Sequence, residues 1–243
     1  MPYKILNKSV FKITQDAEKF LSALTTNELN KPLNAFLDKF GKLVVLADQL
    51  QHQEAVYLAI PVQYESLFLQ HLEPYLRLSR AGIEKTKLLA AHILAQEKLS
   101  NMMIPQNLGY IAFLENLEQL SPLKELSDEE YTKIRIENSI PMQGIDFQHE
   151  MFLEVNLPEA ISYTKGCYLG QEIIARVHHK SKPVRLLQRI LYEKLPENNL
   201  VKSQGEEIGK ITSSCFSEKY KCWLCLAMIK NQNGEIDGGK LRL

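Results

Sequence analysis

Lys165-Gly166-Cys167-Tyr168-Leu169-Gly170-Gln171-Glu172-Ile173-Ile174-Ala175-Arg176-Val177 sets a cysteine between two glycines, directly ahead of a helical pattern. Glycine tolerates backbone angles closed to other residues, so Gly166 and Gly170 permit an unusual path through this segment. From Gln171 onward the apolar spacing is helical, and Glu172 and Arg176 stand four apart on one face. Cys167 is therefore expected just before a helix start. The unpaired amides and the positive end of the macrodipole favour an anion there, and Lys165 adds a nearby cation, so the expected state of Cys167 is a favoured thiolate. A thiolate serves as a nucleophile or a metal ligand; the competing reading is a small buried hydrophobe.

Upstream, strand and helix patterns alternate. Tyr3 to Thr14 has strand-like apolar spacing, and Phe20, Leu21 and Leu24 then share a helical face that ends near Asn27. Asn34 to Leu37 and Leu43 to Leu46 flank Asp38-Lys39-Phe40-Gly41-Lys42, whose glycine supplies the positive φ of a tight reversal, so a hairpin is predicted. Glu54 to Ile60 reads as a strand. Tyr64, Leu67, Phe68, His71, Leu72, Tyr75 and Leu76 recur at three and four, the mark of an amphipathic helix. The order βαββαβ predicts a ferredoxin-like layer. Thr86 to Ser100, with Leu88, Leu89, His92, Ala95 and Leu99, predicts one more helix, and the surroundings of Pro105 and Pro122 read as connections.

Further along, Ser127-Asp128-Glu129-Glu130 is a capping-box pattern, so a helix is expected to start there and to carry Tyr131 and Arg135 on one face before Pro141 and Gly144 break it. After Pro183 the texture changes to strand alternation in Val184 to Ile190, Glu207 to Thr212 and Trp223 to Lys230, which predicts a small β-barrel. The expected fold class is α/β (α+β), with one domain over 1–183 and a C-terminal barrel over 184–243.

Composition bounds what such a chain can do. Its 243 residues, 45% hydrophobic and 24% charged, suffice for a real core. Lysine plus arginine equals aspartate plus glutamate at 29 each, so no global field draws the chain to nucleic acid or anionic lipid, and direct nucleic-acid binding is not expected. No apolar run reaches the roughly 18 residues of a membrane helix, and the start lacks a secretory-type apolar stretch, so a cytoplasmic setting without membrane partners is expected. In that setting the four cysteines are expected as free thiols.

Lys-Gly-Cys-Tyr-x-Gly-Gln-Glu followed by Ile-Ala-Arg, here Lys165 to Glu172 with Ile174, Ala175 and Arg176, resembles the hallmark motif of the YgfZ-type proteins, relatives of the glycine-cleavage T protein. Asp16 to Leu21 with Thr25-Thr26-Asn27, the Leu37-Asp38-x-x-Gly41-Lys42 hairpin, Arg135-Ile136-Glu137 with Ile140-Pro141, and Glu206 to Thr212 are similar to family blocks in the same order. The resemblance implies a T-protein-like folate-binding domain followed by a β-barrel. It also implies a role in the folate-dependent maintenance of iron-sulfur enzymes, including those that modify tRNA. The implied ligand is tetrahydrofolate or a one-carbon derivative, and the implied partners are iron-sulfur proteins or their assembly factors.

The same resemblance assigns the working thiol to Cys167 with Lys165 beside it, and carries Gln171, Glu172 and Arg176 over as cofactor-binding motif residues. A pterin edge suits a carboxylate, its face suits an aromatic, and its glutamate tail suits a cation. Asp146 is the first expectation for the edge, with Glu154 its rival, Tyr131 for the face and Arg135 for the tail; Asn27 is expected to touch the ligand or to cap its helix. The bland alternatives are a solvated Asp146, a core-packed Tyr131 and an Arg135 paired with Glu130 or Glu137. A true aminomethyltransferase is the rival function and a non-catalytic folate scaffold a third. The T protein carries an acidic pair after the hairpin glycine, where this chain has Gly41-Lys42-Leu43-Val44-Val45, and valine is neither acid nor base. Cys222-Trp223-Leu224-Cys225 spells a redox and zinc dipeptide pattern on a predicted strand, where residues three apart face opposite ways. The run from His178 to Arg189 is basic and suits a polyglutamate tail, an acidic partner, or plain solvent.

Overall fold

In a computed structural model the chain is described at every residue except 97, 99, 122, 232–234 and 243. Packing divides it into two compact units, 1–126 with 158–173 and 127–157 with 174–243, rather than at 183/184. The segment carrying Cys167 thus packs with the N-terminal unit.

The first unit holds β1 (Pro2–Ile5), β2 (Lys8–Thr14), α1 (Ala17–Ser22), β3 (Leu33–Leu37), β4 (Leu43–His52), β5 (Ala55–Pro61), α2 (Glu65–Leu76), β6 (Gly82–Lys85), β7 (Leu89–Ile93), β8 (Met103–Pro105), β9 (Tyr110–Leu114) and β10 (Lys124–Glu125). One sheet runs β3-β4-β5-β2-β6 with every neighbour antiparallel. Strands β2, β4, β5 and β6 with α1 and α2 reproduce the predicted ferredoxin-like βαββαβ order, and β3 adds one edge strand. Its core is apolar and aromatic: Phe68 of α2 lies 5.3 Å from Phe11 and 5.1 Å from Phe36, ring centre to ring centre. The hairpin turns at Gly41, whose φ of 74° is the left-handed geometry the sequence predicts.

The second sheet of this unit, β10-β1-β7-β9-β8, overturns one expectation. The stretch read as a helix over Thr86 to Ser100 is strand β7, paired with β1 on one side and β9 on the other; Leu99 lies outside the described residues. Ala90, Ala91 and Ile93 are buried, and a short apolar run buried on both faces has no periodicity that separates strand from helix. Pro105 ends β8 rather than a loop. As β8 is an edge strand, the missing amide costs no ladder bond. Pro122 is not among the described residues.

The second unit holds α3 (Asp128–Glu137), α4 (Gln171–Lys180, from Ile174 onward), β11 (Arg185–Tyr192), β12 (Leu200–Ser203), β13 (Glu206–Ser217), β14 (Cys222–Lys230) and β15 (Gly239–Arg242). The predicted capping box is present: Glu130 N donates to Ser127 Oγ at 3.1 Å, and Ser127 N donates to a Glu130 carboxylate oxygen at 2.8 Å. The strands form one antiparallel sheet, β12-β13-β14-β11-β15, around Ile190, Tyr192, Val201, Cys225 and Ala227. Its end strands do not pair with each other among the described residues. The predicted barrel takes the form of a curled half-barrel, whose gap is bridged where Asp237 N donates to Lys202 O at 2.9 Å.

Candidate functional site

The motif loop is held along its length by the segment between α1 and β3. Ser162 N donates to Thr26 O at 2.9 Å and Leu169 N to Ala23 O at 3.1 Å. Between these two anchors, the Lys165 ammonium donates to Thr25 O at 2.6 Å and Asn27 O at 3.0 Å and lies 5.3 Å from the centre of the Tyr168 ring. Gly170, at φ +84°, backs onto the hairpin turn so closely that a Cβ would stand 2.6 Å from Asp38 O. Only glycine fits both the angle and the approach.

Cys167 is left exposed at the crest of this loop while Tyr168 is buried. The thiol lines a cleft of about 540 Å³ with Lys165, Gly166, Glu18, Lys19 and Glu28 among its walls. The Lys165 ammonium, expected beside the thiol as a cation, gives two of its three hydrogens to backbone carbonyls. Burial lowers the pKa of Lys165 to about 8 against a small opposing effect of Glu28.

Beneath the loop lies a polar network that sequence reasoning missed apart from Asn27. Thr26 Oγ donates to Ala160 O at 2.6 Å, and Asn27 N donates to Asn34 Oδ1 at 2.7 Å. Asn34 Nδ2 reaches Asn27 O at 3.1 Å and Gln49 Oε1 at 3.2 Å, and Gln49 Nε2 donates to Leu29 O at 3.0 Å. All four side chains are buried, and buried polar groups that satisfy one another rigidify what they support. The signal in the sequence was a polar residue, Asn34 or Gln49, inside an otherwise apolar strand pattern. Asn27 itself gives both amide hydrogens to Leu33 O and Glu159 O and accepts from Glu28 N, so it fastens backbone rather than offering an edge to a ligand.

In the second unit the expected folate residues are also occupied. Arg135 and Asp146 form an ion pair at 2.7 Å with side chains 3% and 0% exposed. The second oxygen pair of the carboxylate site is filled too: Met142 N donates to the same Asp146 oxygen at 2.9 Å, and Thr212 and Ser213 hydroxyls donate to the other. A carboxylate has about four acceptor positions, and Asp146 has four donors. The expectations of a pterin edge at Asp146, a tail at Arg135, and an Arg135 pair with Glu130 or Glu137 are thereby replaced by one internal junction. Glu154 accepts from Arg185 N at 3.2 Å and its guanidinium at 3.0 Å, which fastens the start of β11. Tyr131 is buried, and Gln171, Glu172 and Arg176 do not line the Cys167 cleft.

No family model matches the chain. It is 43% identical over 65 residues to the mitochondrial iron-sulfur cluster assembly factor IBA57 of Mus musculus, covering 25% of this chain and 18% of that protein. It is 36% identical over 90 residues, 34% of this chain and 22% of the other, to the mitochondrial IBA57 homologue of Mycosarcoma maydis. The chain therefore matches about a fifth of the length of these relatives. A crystal structure of glycine cleavage system aminomethyltransferase T from Bartonella henselae superposes with a TM-score of 0.78 at 12% identity, covering 97% of this chain and 83% of that one.

The chain has the fold of the glycine-cleavage T protein and, over part of its length, resembles the IBA57 factors.

Within that fold, Val44 and Val45 are buried in the apolar core of the first unit, so the strand after the hairpin glycine carries packing there and no acid or base. The other three cysteines differ from Cys167 in kind. Cys225 is fully buried and Cys215 and Cys222 half-buried; burial pushes the Cys225 thiol up to about 12 and the Cys215 thiol up to about 11. Among the described residues no three His, Cys, Asp or Glu side chains converge as a metal site, so neither the Cys222–Cys225 pattern nor His178 and His179 with Cys167 assembles one. No described helix is long and apolar enough to cross a membrane.

Proposed function

We propose that this protein is a folate-binding accessory factor that supports iron-sulfur cluster assembly or repair, and through it tRNA modification, with Cys167 as its working thiol. The observation that carries the reading is the placement of Cys167. Of four cysteines it alone is exposed, on a loop braced by a buried polar network and by Lys165, at the wall of a cleft. A structural cysteine needs none of that support, whereas a thiol that meets a partner needs exposure and a fixed backbone. Likeness to relatives named as iron-sulfur cluster assembly factors supports the same reading.

Folate enters through family resemblance and through the T-protein fold. The residues first expected to hold a pterin do not fit the task as they stand, since Asp146 has no acceptor position left and Asn27 no amide hydrogen. The ligand, tetrahydrofolate or a one-carbon derivative, is therefore proposed for the protein and not for those side chains. Replacing Cys167 by Ala tests the function: the variant is expected to fold, to keep any folate affinity, and to lose support of iron-sulfur enzyme activity in cells lacking the native protein. Full support by Cys167→Ala would overturn it. Melting the native protein with saturating tetrahydrofolate tests the ligand, because a molecule that binds only the folded state raises the melting temperature.

A further inference from the structure

Strand β4 has a backbone edge that β3 does not cover. Pairing with β3 ends at Leu33 opposite Asp48, and one step further Gln49 N donates to Pro32 O at 2.8 Å. On its other edge β4 pairs with β5 without a register shift as far as His52 opposite Ala55. Main-chain groups alternate sides along a strand, so Gln51 aims its N–H and C=O the same way as Gln49, beyond the end of β3. Among the described residues no strand pairs with Gln51 on that side.

That edge opens into the site already described. Gln51 lines the Cys167 cleft, and two further depressions of about 570 Å³ and 260 Å³ also meet at Gln51, one reaching Glu54 and Val56 and the other Ile104 and Pro105. Together they make an open surface groove of mixed polar and apolar lining that continues past the thiol. Small-molecule sites are enclosed, while extended peptides bind where a free strand edge supplies main-chain hydrogen bonds and adjoining open hollows take alternate side chains. An uncovered edge left in a folded protein is also a pairing site by default.

We propose that this groove takes an extended peptide segment of a protein partner, which pairs its main chain with Gln51 and is thereby brought to Cys167. The inference rests on Cys167 as the working thiol and names the class of molecule that meets it. Recognition runs through backbone, so the groove selects extended conformation before sequence.

The probe is chloroacetyl-Ala-Gln-Ala-Gln-Ala-amide, with chloroacetamide as the small electrophile of the same reactivity. Alkylation of Cys167 in the full-length protein is followed by mass spectrometry of the peptide that contains it. The capped peptide is expected to react about tenfold faster than chloroacetamide and to saturate, the gain that one or two main-chain hydrogen bonds provide. Methylating alternate amide nitrogens of the probe is expected to abolish the advantage, and Gln51→Ala to preserve it, because the main chain remains. Equal rates for the two electrophiles, an advantage that survives N-methylation, or one lost in Gln51→Ala would each overturn the proposal. The readout does not involve iron-sulfur enzymes, so a groove that fails leaves the Cys167→Ala result standing, and the reverse.

Discussion

Arg135 and Asp146 form a buried ion pair whose carboxylate is closed by two hydroxyls from β13 and one backbone amide. The two residues are eleven apart in the chain, while Thr212 and Ser213 come from 66 and 67 positions away. This junction binds α3 to the half-barrel, so its loss is a stability event before it is a functional one.

Removing one partner leaves the other as an uncompensated buried charge. Asp146→Ala is expected to destabilise the second unit by about 3–5 kcal/mol. Chemical denaturation monitored at Trp223, which packs against this unit's core, measures it. A loss below about 1 kcal/mol would show that the carboxylate is not the junction described.

Lys165 is expected to titrate with a midpoint near 8, well below its ordinary 10.5, because burial disfavours its charge. Its folded pKa is depressed, so the associated stability is present above 10.5 and lost as pH falls through about 8. The NMR shift of the Lys165 ε-carbon reads the midpoint directly. In Lys165→Met the amides of the motif loop are expected to exchange faster with solvent, since two carbonyl anchors are gone; unchanged exchange would refute the bracing role.

Thiol labelling of the native protein at pH 8 is expected to be selective. Cys167 is exposed, whereas burial raises Cys215 and Cys225 to about 11 and 12, so these two are expected to react only on unfolding. Mass mapping after limited alkylation decides the order, and early modification of Cys225 would contradict its burial in the half-barrel.

His92 predicts acid sensitivity in the first unit. It is 2% exposed and donates to Leu108 O, and desolvation lowers its pKa below the ordinary 6.5, with the Leu108 carbonyl and Asp48 opposing. The unfolded chain therefore takes up a proton before the folded one. Stability is full above about pH 6.5 and declines below it. His92→Gln is expected to flatten the fall in melting temperature between pH 7 and pH 5; an unchanged slope would assign the effect elsewhere.

The capping box at Ser127 offers the smallest test. Ser127→Ala removes one satisfied amide at the start of α3 and is expected to cost about 1 kcal/mol, read as a lower denaturation midpoint of the second unit.

Local rules written into the chain determined much of this molecule. Gly41 and Asp38 determine the hairpin, Ser127 and Glu130 the start of α3, and the alternation after Pro183 the strands of the half-barrel, because each depends on residues only a few positions apart. The motif around Cys167 was legible for the same reason, although the close packing of Gly170 on Asp38 O was not. What only tertiary structure decided were the partners. Strand β7 became a strand because β1 and β9 flank it, not through a periodicity of its own. Lys165 found the carbonyls of Thr25 and Asn27, and Asp146 was filled by donors up to 67 residues distant. Charge and hydrogen-bonding capacity are visible in a sequence, but the group that consumes them is set by long-range packing, and so the motif that carries the thiol was legible while the exposure of Cys167 and the fate of the polar residues around it were not.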